Sequence, residues 1–167
     1  RGNLIVEGVT LRNFTYAVAL SGATASADFR HVLFAGNGAA IDARLGARAT
    51  LFQSAVDSVG RAAVSSDPIR AVVAQNGSKV DIVESDVRDS DRAFTAFSFT
   101  GDGTGEVVVR NNVFYDVDDL EPWGGRMFEG GGVADFRNNI VLGCDARSLE
   151  AFDASWSVFW DNEVDYA

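Results

Sequence analysis

The chain has 167 residues, a net charge of −10 at pH 7 and an apolar fraction of 47%. Its length permits one domain over residues 1–167, and its apolar fraction excludes a disordered acidic tail. The excess of 24 acidic over 14 basic residues makes nucleic acid an unfavourable partner. No apolar run approaches the roughly 20 residues that span a bilayer, and a single cysteine, Cys144, excludes an internal disulfide.

The sequence starts at Arg1 and runs directly into the apolar segment Leu4-Ile5-Val6. It has neither an initiator methionine nor a basic-then-apolar signal segment. We therefore expect a single domain that is part of a longer chain or a processed unit.

A pattern of one apolar or small residue, two or three polar or variable residues and an apolar pair occurs seven times. The position four residues after each start is aliphatic in six copies, and the position seven residues after it holds a turn-forming or small residue in most copies. The copies start at Val6, Phe29, Phe52, Val83, Val109, Phe136 and Ala154. The aliphatic column is Thr10, Leu33, Val56, Val87, Val113, Ile140 and Val158. The turn column is Asn13, Gly36, Val59, Ser90, Asp116, Gly143 and Asp161, with Val59 as the exception.

The repeated segments are predicted to be strands because they are short, rich in Val, Ile, Phe and Thr, and bounded by Gly, Asn and Asp. None of them shows a helical period over three turns. Only residues 147–152 could form one short helix. A repeat of about 25 residues with two or three strands is one coil of a solenoid.

Two copies carry paired asparagines before an apolar residue, Asn111-Asn112 and Asn138-Asn139. Together with the coil length, they resemble the right-handed parallel β-helix, or pectate-lyase-like, family. This resemblance implies an all-β, right-handed parallel β-helix solenoid of about seven coils over nearly the whole chain. In that family asparagines on successive coils bond one another, which implies that Asn112 pairs with Asn139, or Asn111 with Asn138. The alternative is that each asparagine caps a turn singly.

The end coils of such a stack leave strand edges unpaired, so we expect self-association through the coil ends. The inward register of the first two coils stays open, because Val9 and Val32 could shift it by one residue.

Three long insertions between strands, residues 60–79, 89–106 and 117–132, are where a solenoid of this kind would place function. In the third, Trp123 could stack on a sugar ring and Arg126 could bind a uronate carboxylate. Hard oxygen ligands for calcium lie at its start, although their spacing does not follow the EF-hand pattern and a solvated turn is the alternative. These candidate metal ligands are Asp116, Asp118, Asp119 and Glu121.

No residue is assigned a catalytic role. His31 is the only histidine and Lys79 the only lysine, and a single histidine does not make a catalytic relay or a zinc site. A glycosidase needs close carboxylates. The repeat instead pairs Asp57 with Arg88, and Asp86 with Asn112.

The sequence therefore favours a non-catalytic extracellular β-helix that acts in surface structure, adhesion or end-to-end assembly. The resemblance also implies an alternative, a polysaccharide lyase or epimerase that acts on acidic polysaccharide with calcium. A third hypothesis is a sugar-binding module without catalysis, in which Trp123, and Trp156 or Trp160, are stacking platforms. The expected location is secreted or at the cell surface.

Overall fold

The computed structural model shows an all-β chain whose strands pair in parallel, coil upon coil, in three sheets. This confirms the predicted parallel β-helix solenoid. No helix occurs in the ranges that the structure describes, and the candidate helix at residues 147–152 lies outside them. Within the same ranges, no helix is long and apolar enough to cross a membrane. The structure describes residues 3–58, 71–89, 94–97, 105–117, 128–129, 133–144 and 156–160.

The first sheet contains six strands of five residues each. Its pairing is in register throughout, except for an irregularity between Val107 and Val108 in the last pair. In spatial order the strands are β1 (Asn3–Glu7), β4 (Ser26–Arg30), β7 (Arg48–Phe52), β10 (Lys79–Val83), β13 (Glu106–Arg110) and β16 (Val133–Arg137).

The second sheet contains seven strands of three residues, one from each predicted repeat. Such short strands persist because every inner strand is bonded on both edges. In spatial order they are β2 (Thr10–Arg12), β5 (Leu33–Ala35), β8 (Ala55–Asp57), β11 (Asp86–Arg88), β14 (Val113–Tyr115), β17 (Ile140–Leu142) and β18 (Val158–Trp160).

The third sheet contains five strands and corrects the interpretation of the three insertions as loops alone. Each insertion contributes a strand to this sheet, because a coil has three sides. The strands are β3 (Tyr16–Ser21), β6 (Ala39–Arg44), β9 (Val72–Gln75), β12 (Phe94–Phe97) and β15 (Phe128–Glu129).

The predicted aliphatic column is wrong by one residue in the third and fourth coils. Leu33 pairs with Ala55, and Ala55 pairs with Asp86, whereas the repeat placed Val56 and Val87 in that column. Val56 and Val87 face inward and are fully buried. Aliphatic residues occupy both faces of the second sheet, so apolar character alone does not fix which face is inward. The inward column is Leu11, Phe34, Val56, Val87, Phe114 and Val141.

The coils turn sharply before and after the second sheet at residues with positive φ, a conformation that favours Gly and Asn. A third corner follows the third sheet and has positive φ at Gly22, Leu45, Gly46, Asn76 and Gly77. The predicted turn column is confirmed in four coils and shifts to Ser58 and Asp89 in the third and fourth. The first turn holds Gly8, His31, Gln53, Glu84, Asn111, Asn138 and Trp156. The second turn holds Asn13, Gly36, Ser58, Asp89, Asp116 and Gly143.

A buried ladder of polar side chains runs along the axis directly after the first turn. From the third coil to the seventh, the ladder side chain accepts a hydrogen bond from a backbone N–H of the preceding coil, at 2.9–3.2 Å. The first two coils have Val9 and Val32 at this position. The predicted Asn112–Asn139 pair is confirmed, since Nδ2 of Asn112 donates to Oδ1 of Asn139 at 3.2 Å. Asn111 and Asn138 are instead exposed turn residues. The ladder residues are Ser54, Ser85, Asn112, Asn139 and Ser157.

Asparagine and serine return their hydrogen bonds differently because their side chains differ in length. Asn112 reaches the carbonyl of Ile82 in the preceding coil at 2.9 Å. Ser85 donates to the carbonyl of Val83 in its own coil at 2.9 Å. In either case the ladder side chain satisfies backbone groups that burial would otherwise leave unpaired.

Replacing Asn112 with alanine should destabilise the fold by about 2–4 kcal/mol, because the N–H of Ser85 and the carbonyl of Ile82 both lose a buried partner. Asn111→Gly is the matched control, since Asn111 is exposed at φ 58° and glycine accepts that conformation. Urea unfolding of both variants measures the difference, and equal stabilities would contradict a structural role for the ladder.

Candidate functional site

Asp116 is the one predicted metal ligand that falls within the described residues. It is exposed at the second turn with φ 50°, and its N–H donates to the carbonyl of Leu142 at 3.1 Å. Across the described ranges, no three His, Cys, Asp or Glu side chains are placed to hold a metal ion. The predicted calcium and uronate site stays a prediction, because its other members lie outside those ranges. These are Asp118, Asp119, Glu121, Trp123 and Arg126.

Lys79 joins two carboxylates from neighbouring coils on the outer face of the first sheet. Its Nζ lies 2.7 Å from Oε1 of Glu106 and 3.8 Å from Oδ1 of Asp81. The pairing of Lys79 with Glu106 in β10 and β13 brings these groups together. The repeat analysis missed this cluster, because residues 89–106 were treated as an insertion.

The three side chains form a charged cluster in which Asp81 is the unusual member. Burial raises the pKa of Asp81, the positive charge of Lys79 lowers it, and the negative charge of Glu106 raises it, with a net upward shift. A carboxyl group with a raised pKa is a candidate for proton transfer. Here an ammonium group binds Glu106 directly, which favours an ion-pair network over acid–base chemistry.

The two column pairs predicted around Asp57 and Asp86 have different outcomes. Asp57 and Arg88 pair as predicted, and Nε of Arg88 donates to Oδ2 of Asp57 at 3.1 Å. Asp86 pairs with Val113 and not with Asn112. The prediction for Asp86 was wrong because the repeat was aligned one residue off in that coil.

Carboxylates also hold three further arginines. Asp135 is 7% exposed at its side chain, and its Oδ1 lies 2.6 Å from Nε of Arg137. Its Oδ2 accepts a hydrogen bond from Nε of Arg110 at 2.8 Å. Arg44 binds Asp42 through two nitrogens, and its pKa is raised, chiefly by this hydrogen bonding. Each of these guanidinium groups is already bound to a carboxylate of its own sheet, which disfavours recognition of an acidic polysaccharide at these positions.

A shallow groove of about 420 Å³ follows the first turn of the second to fourth coils. His31, Gln53 and Glu84 lie at its edge, and Nε2 of Gln53 donates to Oε2 of Glu84 at 2.9 Å. His31 is exposed at φ 53°, as expected for an outward-facing residue. The groove is lined by His31, Val32, Leu33, Gln53, Ser54, Ala55, Glu84 and Asp86.

Cys144 follows the second turn and is 2% exposed. Its Sγ accepts a hydrogen bond from the N–H of Val117 at 3.5 Å and donates to the carbonyl of Leu142 at 3.1 Å. Asn37 holds the equivalent position in the second coil, where its Oδ1 accepts a hydrogen bond from the N–H of Phe14 and its Nδ2 donates to the carbonyl of Leu11 in the preceding coil. Burial raises the pKa of the Cys144 thiol from 9.0 to about 11, so the group has a structural role and is a weak nucleophile.

Two of the predicted sugar platforms lie on the surface. Trp156 is 85% exposed and Trp160 is 72% exposed. They belong to the same coil, with Trp156 at its first turn and Trp160 at the end of β18.

No family model, curated protein or solved structure matches the chain.

Replacing Lys79 with methionine should raise the pKa of Asp81 further, because the positive charge that lowers it is removed. Arg48→Met should raise it less, since Arg48 contributes the smallest of the lowering effects. NMR titration of the Asp81 carboxyl group measures both shifts. A fall in the pKa of Asp81 in the Lys79→Met protein would show that Lys79 does not lie beside Asp81 as described.

The Cys144 thiol should make stability depend on alkaline pH. The pKa of the Cys144 thiol is higher in the folded protein than in the unfolded chain. Its contribution to the free energy of unfolding is therefore complete below about pH 9 and is lost as the pH rises towards about 11. Urea unfolding at pH 8, 9, 10 and 11 should show a smaller alkaline loss in Cys144→Ser than in the unmodified protein. Identical pH profiles would contradict the burial of the thiol.

Proposed function

We propose that the chain is a non-catalytic β-helix module of a secreted or cell-surface structure, and that such modules stack end to end. The observation that supports this proposal is the outer side of the first described coil, where inward-facing side chains are exposed that a further coil, of the same chain or of a second module, would cover. Leu4 is 55%, Val9 41% and Phe14 51% exposed. The equivalent positions of the next coil are Ala27, Val32 and Asn37, which are at most 1% exposed.

The strand edges of this end face support the same proposal. β1, β2 and β3 each lie at the end of their sheet, so three parallel edges surround the apolar centre. Within the described part of the chain, no strand pairs with the outer edges of these three. An incoming coil would gain backbone hydrogen bonds along all three sides, which is the general mode of strand addition.

The expected strength of stacking is modest. Covering three half-exposed apolar side chains contributes about 2–4 kcal/mol, and each backbone hydrogen bond adds about 1 kcal/mol. Association costs about 4–15 kcal/mol in lost freedom. We therefore infer a concentration-dependent association that becomes persistent where modules are held close together on a surface.

The ionic pairing of the basic side chains favours a structural role over catalysis on an acidic polysaccharide. Lys79 is bound to Glu106 and Arg88 to Asp57. A lyase requires a basic side chain that is free to remove a proton, and each of these two is held by a carboxylate.

Leu4→Glu should abolish end-to-end growth, because it places a charge at the centre of the contact. Leu45→Glu is the matched control, since Leu45 is also 55% exposed but lies at a turn on the side of the solenoid. Sedimentation velocity over a concentration series should show growing species for the unmodified protein and Leu45→Glu, and a monomer for Leu4→Glu. A strict monomer in all three proteins, or equal growth in all three, would overturn the proposal.

A further inference from the structure

The outer face of the second sheet changes character along the solenoid axis. At β8 and β11 it carries the Asp57–Arg88 ion pair and Asp86. From β14 to β18 it carries only apolar and aromatic side chains, of which Tyr115 is 56% and Trp160 72% exposed. We call this surface the aromatic strip. It consists of Val113, Tyr115, Ile140, Leu142, Val158 and Trp160.

The exposure of the aromatic strip is large enough to indicate binding. Taking roughly 200 Å² for an aromatic side chain, the open parts of Tyr115 and Trp160 amount to about 250 Å². Half-exposed Ile140 and Val158 lie beside them and extend the surface into the range of functional apolar patches. Side chains of this kind are enriched where proteins bind other molecules.

The charge of the protein favours an uncharged ligand for this surface. The chain carries a net charge of −10, so a polyanion is repelled at long range. The aromatic strip itself holds no charged side chain. A neutral ligand with an apolar face meets neither repulsion nor the cost of desolvating a charge.

The spacing of the two rings suits a chain of sugar rings. Tyr115, Leu142 and Trp160 occupy one column on three successive strands. The two aromatic side chains are therefore roughly 10 Å apart along the axis, two inter-strand steps. This is about the length of two sugar rings in an extended polysaccharide, so alternate rings would stack on Tyr115 and Trp160.

Polar groups border the aromatic strip on the side of the first turn. Asn111 and Asn138 are exposed there on successive coils, and Trp156 follows them in the same column. An amide side chain both donates and accepts hydrogen bonds, which suits the hydroxyl groups of a sugar.

We propose that the aromatic strip binds a neutral polysaccharide along the solenoid axis. The apolar faces of its sugar rings lie on Tyr115 and Trp160, and its hydroxyl groups bond to Asn111 and Asn138. This function is separate from end-to-end stacking and uses a different face of the solenoid.

Affinity electrophoresis in gels that contain mixed-linkage β-glucan, xylan or mannan tests the proposal, and polygalacturonate is the anionic comparison. The protein should be retarded by at least one neutral polysaccharide and not by polygalacturonate. Calorimetry with a hexasaccharide of the retarding polymer should show at least about tenfold weaker binding for Trp160→Ala and for Tyr115→Ala, which corresponds to roughly 1.4 kcal/mol. Tyr16→Ala should bind like the unmodified protein, since Tyr16 is 51% exposed on another sheet.

Three outcomes would overturn the proposal: no retardation in any neutral gel, unchanged binding by both strip variants, or a closed dimer that Trp160→Ala dissociates without any sugar binding. The last result would identify a second copy of the chain as the occupant. Leu4→Glu protein should bind the hexasaccharide normally. Loss of stacking and loss of sugar binding are therefore measured independently.

Discussion

The buried ladder of polar side chains is the interaction on which the rest of the solenoid depends. A coil with strands of three residues has little local stability, so its sharp first turn must be held by its neighbours. Each ladder side chain binds a backbone N–H of the preceding coil, from the Ser54 bond to Val32 through the Ser157 bond to Asn139. Because these bonds are buried, a shift of one coil by one residue would leave several polar groups unpaired. The ladder therefore fixes register as well as stability, and register in turn decides which side chains meet on the outer faces.

Each outer face of the solenoid consequently has its own chemistry. The first sheet collects charged side chains, and register places Lys79 beside Glu106 and Asp135 between Arg110 and Arg137. The second sheet carries an ion pair over its middle coils and the aromatic strip over its later ones. Charged groups that pair with one another contribute to cohesion between coils, whereas the rings of Tyr115 and Trp160 are exposed to solvent. This division is the physical basis for assigning structure to one set of residues and binding to another.

The sequence predicted the class of fold because strand composition and turn residues recur in every coil. Two details of the fold could not be predicted from the sequence, for physical reasons. Aliphatic residues occur on both faces of the second sheet, so the repeat was aligned one residue off at Val56 and Val87. The strands of the third sheet lie within variable segments, which the repeat presented as insertions. The Asn112–Asn139 pair was one of the two pairs that the family resemblance implied, the other being Asn111 with Asn138. Ser54 and Ser85 were missed as ladder members because that resemblance concerned asparagine alone. The Lys79 cluster could not be predicted, because the sequence alone did not show that Lys79 pairs with Glu106 on the neighbouring strand.

The most direct test of this account is amide hydrogen exchange of the native protein, measured residue by residue by NMR. The amide hydrogens of Ser54, Ser85 and Asn112 point into the ladder, so they should be among the slowest in the chain to exchange. Exchange at these positions as fast as in an unfolded chain would contradict the ladder as the interaction that holds successive coils in register.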